Sequence, residues 1–135
     1  MAGEPDCGDD APPAQAEHLR RGAAAEALAA EYLVRHGLTL LARNVRCRGG
    51  EVDLIAGDRG SLVFVEVRLR SNRDFGGAAA SITVAKQRRI ILAAQYWLLG
   101  PGRRFAQAPC RFDAVLLDRL EQDRIEWIRG AFDAS

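Results

Sequence analysis

The chain has 135 residues, of which 48% are hydrophobic and 27% charged, with a formal net charge of +1. That length suits one domain with its own core, and the composition is ordinary globular usage, which excludes a disordered or fibrous class for the bulk of the chain. The apolar runs are too short to cross a bilayer, and so small a net charge argues against a simple polycation that coats nucleic acid.

Residues 1–16 are rich in Ala, Pro, Gly and Asp, lack periodicity and contain no basic residue. They are expected to form a disordered acidic tail, not a secretory signal, and residues 17–135 the single domain. Three widely spaced cysteines, Cys7, Cys47 and Cys110, contain no CxxC pair, so they are read as reduced thiols of a cytoplasmic protein and not as a disulfide framework or zinc site. Nothing in the chain resembles a nucleotide-cofactor fingerprint.

The Ala-rich stretch from Glu17 to His36 predicts a first helix, with Gly37 placed to cap its C-terminus. Leu19, Ala23, Glu26, Ala30 and Leu33 fall on one stripe of it, and Glu26 is the charge on that stripe. A carboxylate facing a core is costly unless it is paired, hydrogen-bonded or bound to metal. Gly22 and Ala23 beside it suggest a close approach of helix to sheet.

Three strands are expected next, Thr39 to Arg46, Glu51 to Ala56 and Ser61 to Arg68, with Arg48-Gly49-Gly50 and Gly57-Asp58-Arg59-Gly60 as turns. Links this short imply an antiparallel meander. Alternation puts Glu51, Asp53 and Ile55 on one face of the second strand, with Val52 and Leu54 on the other. It puts Leu62, Phe64, Glu66 and Arg68 together on the third. If the register allows, Asp53 and Glu66 can share one divalent ion, because neighbouring strands lie about 4.8 Å apart.

A loop from Leu69 to Ala80 leads to a second helix, capped by Thr83 and stopped after Leu99 by Gly100-Pro101. Its apolar stripe is read as Val84, Gln87, Ile91, Ala94 and Leu98, interrupted by Gln87, and Phe64, Tyr96 and Trp97 are read as core. Both helices are expected to bring polar side chains onto one sheet face. A fourth strand, Arg111 to Leu117, and a short fifth, Arg124 to Ile128, complete the order αβββαββ, a mixed sheet flanked by helices in the α/β class. Between residues 67 and 90 the bases Arg68, Arg70, Arg73, Lys86, Arg88 and Arg89 face Asp74 alone, so a basic middle is masked by the acidic tail.

Each polar residue also has a plain structural reading: a strand Asp at an edge, a helix Glu paired with Arg20 or Arg21, a Gln bonded to a backbone carbonyl. Their joint order is harder to obtain from solvated faces. Glu26, Asp53, Glu66-Val67-Arg68 and Gln87 resemble the PD-(D/E)XK nuclease superfamily, whose restriction-endonuclease-like core matches the predicted order. Gly50-Glu51-Val52-Asp53-Leu54-Ile55-Ala56, Phe64-Val65-Glu66-Val67-Arg68, Phe75-Gly76-Gly77-Ala78-Ala79 and Arg111-Phe112-Asp113 resemble, more narrowly, the YraN family of bacterial proteins, which are Holliday-junction-resolvase-like.

The resemblance implies a metal-dependent endonuclease acting on DNA phosphodiesters, with branched DNA a candidate substrate and a homodimer expected by analogy. Asp53 and Glu66 would be Mg²⁺ or Mn²⁺ ligands, helped by the Val67 carbonyl, with Glu26 ligating directly or through water and Gln87 orienting the site. Where the superfamily usually has Lys, this chain has Arg68, which stays protonated and so can hold a phosphate but cannot act as a base. Arg70, Arg73, Lys86, Arg88 and Arg89 are expected to contact phosphates. The competing expectations are a non-catalytic nucleic-acid-binding module and a protein-interaction domain on the same fold.

Overall fold

The computed structural model of the chain describes residues 13–69, 82–118, 120 and 124–134, with residues 13–19 described through their backbone alone. The elements follow the expected order: α1 (Pro13–Arg35), β1 (Thr39–Cys47), β2 (Gly50–Asp58), β3 (Ser61–Leu69), α2 (Val84–Leu99), β4 (Cys110–Leu117) and β5 (Ile125–Phe132). Helix α1 begins ahead of Glu17, and β5 is longer than expected. A 3₁₀ turn at Arg103–Phe105, not anticipated from the sequence, joins α2 to β4.

The strands lie side by side in chain order as one five-stranded sheet. β1, β2 and β3 form the antiparallel meander, whereas β3 and β4 are parallel and linked through α2. β4 and β5 are antiparallel again. This is the mixed sheet with helices expected of the α/β class.

The helices cover opposite faces. Leu54, Ala56, Val63, Val65, Val115 and Leu117 pack with Ala25, Ala29, Ala30 and Leu33 of α1. The alternate residues Ile55, Leu62, Phe64 and Ala114 pack with Ile90, Ala93, Ala94 and Trp97 of α2. Strand alternation therefore sorts the core into two layers, and the expectation that both helices meet one sheet face is corrected.

The helical phases also shift. On α1, Ala23 is exposed and Ala25 and Ala29 are buried. On α2 the buried residues are Ile90, Ala93, Ala94 and Trp97, while Val84 and Tyr96 are exposed. A short helix with apolar residues on several faces satisfies two neighbouring stripes almost equally, and the sheet selects between them.

Helix ends follow local chemistry. Gly37, at φ +97°, ends α1, and the Leu38 N–H donates to the Leu33 carbonyl at 3.0 Å. The Thr83 hydroxyl accepts from the Lys86 N–H at 3.1 Å and starts α2. Close approach of helix to sheet occurs at Gly50, not at Gly22. A Cβ on Gly50 would lie 2.5 Å from the Arg89 carbonyl oxygen of α2, whereas one on Gly22 would meet nothing within 4 Å. The bare backbone of Gly50 is what lets the basic start of α2 lie against β2.

Candidate active site

Asp53 sits just past the point where the ladder between β2 and β3 ends. Between β2 and β3 the pairing runs from Asp58↔Ser61 to Leu54↔Val65 and stops one residue short of Asp53 and Glu66. Beyond that point β2 continues to pair with β1, through Val52, Glu51 and Gly50, while β3 continues along β4, through Glu66 to Leu69. The two strands fork. At the fork the Val67 N–H donates to Asp53 Oδ2 at 2.8 Å, so a side chain takes the place of the missing ladder bond.

On the other flank, the β1–β2 pairs Arg43↔Leu54 and Val45↔Val52 bracket Asn44, which has φ +50°. A left-handed conformation is uncommon for a non-glycine residue, and Asn is among the few that tolerate it. Alternation on β2 is also irregular at this point. Val52 packs with Ile55 in the α2 layer instead of opposite it.

The fork opens a cavity of about 420 Å³, lined by Glu26 with Gly22 and Ala25 from α1, Glu51 and Asp53 from β2, Glu66 and Val67 from β3, and Thr83, Lys86 and Arg89 from α2. Glu26 thus reaches Asp53 from one side of the sheet and Lys86 reaches Glu66 from the other. Glu26, Asp53 and Glu66 all line this cavity, brought there through the fork and not on a shared face.

Their electrostatics are unfavourable as they stand. Asp53 and Glu66 are 7% and 4% exposed. Burial first, and the charge of Glu66 second, push the Asp53 carboxyl from 3.8 up to about 8, against the opposing hydrogen bond from Val67. The Glu26 carboxyl is also raised, chiefly by burial, although Asn44 and Asp53 lie within hydrogen-bonding reach and oppose the shift. Around neutral pH, Asp53 therefore holds a proton between two acidic neighbours.

The opposite wall is basic. Lys86 Nζ lies 3.0 Å from Glu66 Oε2, and Arg89 Nη2 lies 3.8 Å from Glu51 Oε1. Both project from the first two turns of α2, whose N-terminus carries no acidic residue and adds its own partial positive charge.

The described lining offers carboxylate oxygens and no thiol or imidazole, a hard donor set that fits Mg²⁺ or Mn²⁺ better than zinc. A divalent cation would also favour the charged form of Asp53 against the burial and the Glu66 charge that raise its pKa. Yet among the described residues no three His, Cys, Asp or Glu side chains are already grouped around a common metal position. Glu66 is in contact with both Asp53 and Lys86.

Other predicted residues fall elsewhere. Arg68 is half-buried on β3, two positions beyond Glu66, and does not line the cavity. Gln87 is also outside the lining, and its Nε2 donates to the Ile82 carbonyl at 3.0 Å, closing the first turn of α2. Arg88 is exposed. Arg70, Arg73 and the segment Phe75 to Ala79 lie outside the described residues, as does Cys7, while Cys47 and Cys110 are free thiols.

Sequence reasoning missed Asn44, and it placed Lys86 among the phosphate contacts without its pairing to Glu66. For Asn44 the available signal was an Asn inside a predicted strand, where Asn is depleted. Arg111-Phe112-Asp113 proves to be structural. Arg111 holds Asp113 in a two-pronged ion pair at 2.9 and 3.0 Å, and the Trp127 Nε1–H and Gly130 N–H each donate to the same carboxylate at 2.9 Å.

Comparison with known proteins places these features in context. A family model described as uncharacterised protein family UPF0102 matches residues 25–117, a span that contains Glu26, Asn44, Asp53, Glu66 and Lys86. A UPF0102 protein of Methylobacillus flagellatus is 54% identical over 110 residues, covering 82% of this chain and 94% of the relative. One from Nitrosomonas europaea is 54% identical over 115 residues, covering 85% and 95%. One from Cupriavidus taiwanensis is 56% identical over 115 residues, covering 84% and 83%. Among the described residues, no helix is long and apolar enough to cross a membrane.

Proposed function

The chain belongs to the uncharacterised protein family UPF0102, the YraN family, and from that footing we propose that it is a Mg²⁺- or Mn²⁺-dependent endonuclease that hydrolyses DNA phosphodiesters. The observation that carries this reading is the bipolar cavity, with Glu26, Asp53 and Glu66 on one wall and Lys86 and Arg89 on the other. A phosphodiester has matching needs. Its anionic oxygens call for fixed positive charge, and its cleavage calls for a cation near the reacting phosphorus.

In this reading Asp53 and Glu66 hold the cation from two strands that the fork has separated, and Glu26 completes the set from α1. The cation, when bound, supplies Lewis acidity toward a phosphate oxygen and makes a water molecule more acidic. The Val67 N–H fixes the Asp53 carboxylate, and Asn44 holds Glu26 toward it. Lys86 and Arg89 bind and orient the phosphate, the task the sequence suggested for Arg68. To act as a ligand Asp53 would give up the proton that its raised pKa favours. The free thiols Cys47 and Cys110 accord with action in the cytoplasm.

Cleavage of linear and branched DNA with Mg²⁺ and with Mn²⁺ tests the proposal. The wild type should cut at least one substrate, and Asp53→Ala should lose about 100-fold or more of that activity. If both proteins are equally inert with every substrate and metal, catalysis is the wrong reading. A homodimer on a two-fold junction belongs to the same proposal, and light scattering with and without a four-way junction measures it.

A second reading has an observation of its own, since Lys86 already neutralises part of the acidic wall without any metal. A nucleic-acid-binding module of this kind would bind DNA in a salt-sensitive way and show no response to Mg²⁺ or Mn²⁺.

A further inference from the structure

Lys86 is the single lysine among 19 basic residues, and its ammonium lies 3.0 Å from the buried Glu66 carboxylate. Everywhere else the chain uses arginine. The two differ chemically: a guanidinium grips a carboxylate with a planar fork, whereas an ammonium is a compact point charge on a flexible stem. A lysine is therefore the better choice where a contact has to be both made and given up.

The surroundings of Lys86 Nζ fit that description. Its partner Glu66 is 4% exposed, while the Lys86 side chain is 38% exposed and has open cavity beside it. The Lys86 backbone is fixed independently, by the Thr83 cap at the start of α2, so the side chain can move without disturbing the helix. Glu66 also lies against Asp53, so the Lys86 ammonium sits beside the pair of carboxylates that a cation would use.

We propose that Lys86 is an exchangeable counter-ion for Glu66: it neutralises Glu66 while the site is free of metal, a divalent cation must displace it, and the released ammonium then engages the phosphate. This rests on the metal-binding reading above and adds to it a coupling. Cation and phosphate should each favour the other, because the cation frees the side chain that the phosphate uses.

Titration of the full chain with Mn²⁺ at pH 8, following free Mn²⁺ by electron paramagnetic resonance, provides the test. The proteins compared are the wild type, Lys86→Met, Lys86→Arg and Asp53→Asn. Lys86→Met removes the competing charge at similar length and should bind Mn²⁺ about three- to tenfold more tightly than the wild type. Lys86→Arg keeps a competitor and should bind no more tightly than the wild type. A lysine with a merely structural role would leave Mn²⁺ affinity unmoved.

If the wild type binds Mn²⁺, Asp53→Asn does not, and Lys86→Met binds with equal or lower affinity, the exchange is overturned and the metal site stands. If neither the wild type nor Lys86→Met binds Mn²⁺, both readings fall. Binding by Lys86→Met alone would support the exchange in its strongest form.

Discussion

Two buried aspartates in the same sheet have opposite surroundings. Asp113 on β4 is fully buried and accepts from Arg111, Trp127 and Gly130, with Arg111 also tied to Asp58 at 3.1 Å. The hydrogen bond to Asp113 is the largest influence raising Arg111 above its already high pKa. Asp53 on β2 accepts one backbone hydrogen bond and otherwise faces two more acids. A buried charge is tolerated when its own fold supplies the partners, and Asp113 has them all. Asp53 has been left short of positive charge, a shortfall that a structural residue would not be expected to keep.

The largest effect should come from breaking the satisfied site. Asp113→Ala leaves the Trp127 and Gly130 N–H groups without their acceptor and the Arg111 guanidinium with Asp58 alone, and is expected to cost about 3–5 kcal/mol in urea unfolding. Had Asp113 been the reactive residue, the loss would appear in activity with stability retained.

Gly50→Ala tests how closely the basic wall must approach the acidic one. The added Cβ meets the Arg89 carbonyl oxygen, so α2 has to shift. A loss of about 1–3 kcal/mol is expected by thermal unfolding, the range for overpacking a tight contact. Gly22→Ala, with open space around it, should cause no such loss.

At the unsatisfied site the sign reverses. The folded protein holds the Asp53 proton far more tightly than the unfolded chain does, since the pKa is raised from 3.8 to about 8. Wild-type stability from this group is therefore complete below pH 4 and is lost as the pH rises toward 8. Asp53→Asn keeps an oxygen for the Val67 N–H and carries no charge. It should lack that slope and be more stable than the wild type by roughly 1–3 kcal/mol at pH 8 in urea titrations. A destabilised Asn variant would show that Asp53 is compensated after all.

The smallest effect belongs to Gln87. Its hydrogen bond to the Ile82 carbonyl makes it a local clasp, so Gln87→Ala should cost about 1 kcal/mol by denaturant unfolding and leave Mn²⁺ affinity unchanged.

Much of this was legible in the sequence. Glycine turns and alternating strands gave the element order, Thr83 and Gly37 marked helix ends, and Glu26, Asp53 and Glu66 stood out against apolar patterns. What stayed hidden depends on pairing between distant segments. No local periodicity shows that β2 and β3 separate after Leu54↔Val65, so the route by which two helices on opposite faces reach one cavity could not be read. The phase of α2 was ambiguous by one residue, which is why Gln87 was drawn inward. The structural role of Arg111-Phe112-Asp113 could not be read because its partners Trp127 and Gly130 come from β5, beyond the motif itself.

The most direct test of the account is a crystal of the protein soaked in Mn²⁺ and measured at the manganese absorption edge. The account predicts an anomalous peak in the fork between Asp53 and Glu66, with Lys86 withdrawn from Glu66. A cavity without that peak at saturating Mn²⁺, with Lys86 still on Glu66, would contradict it.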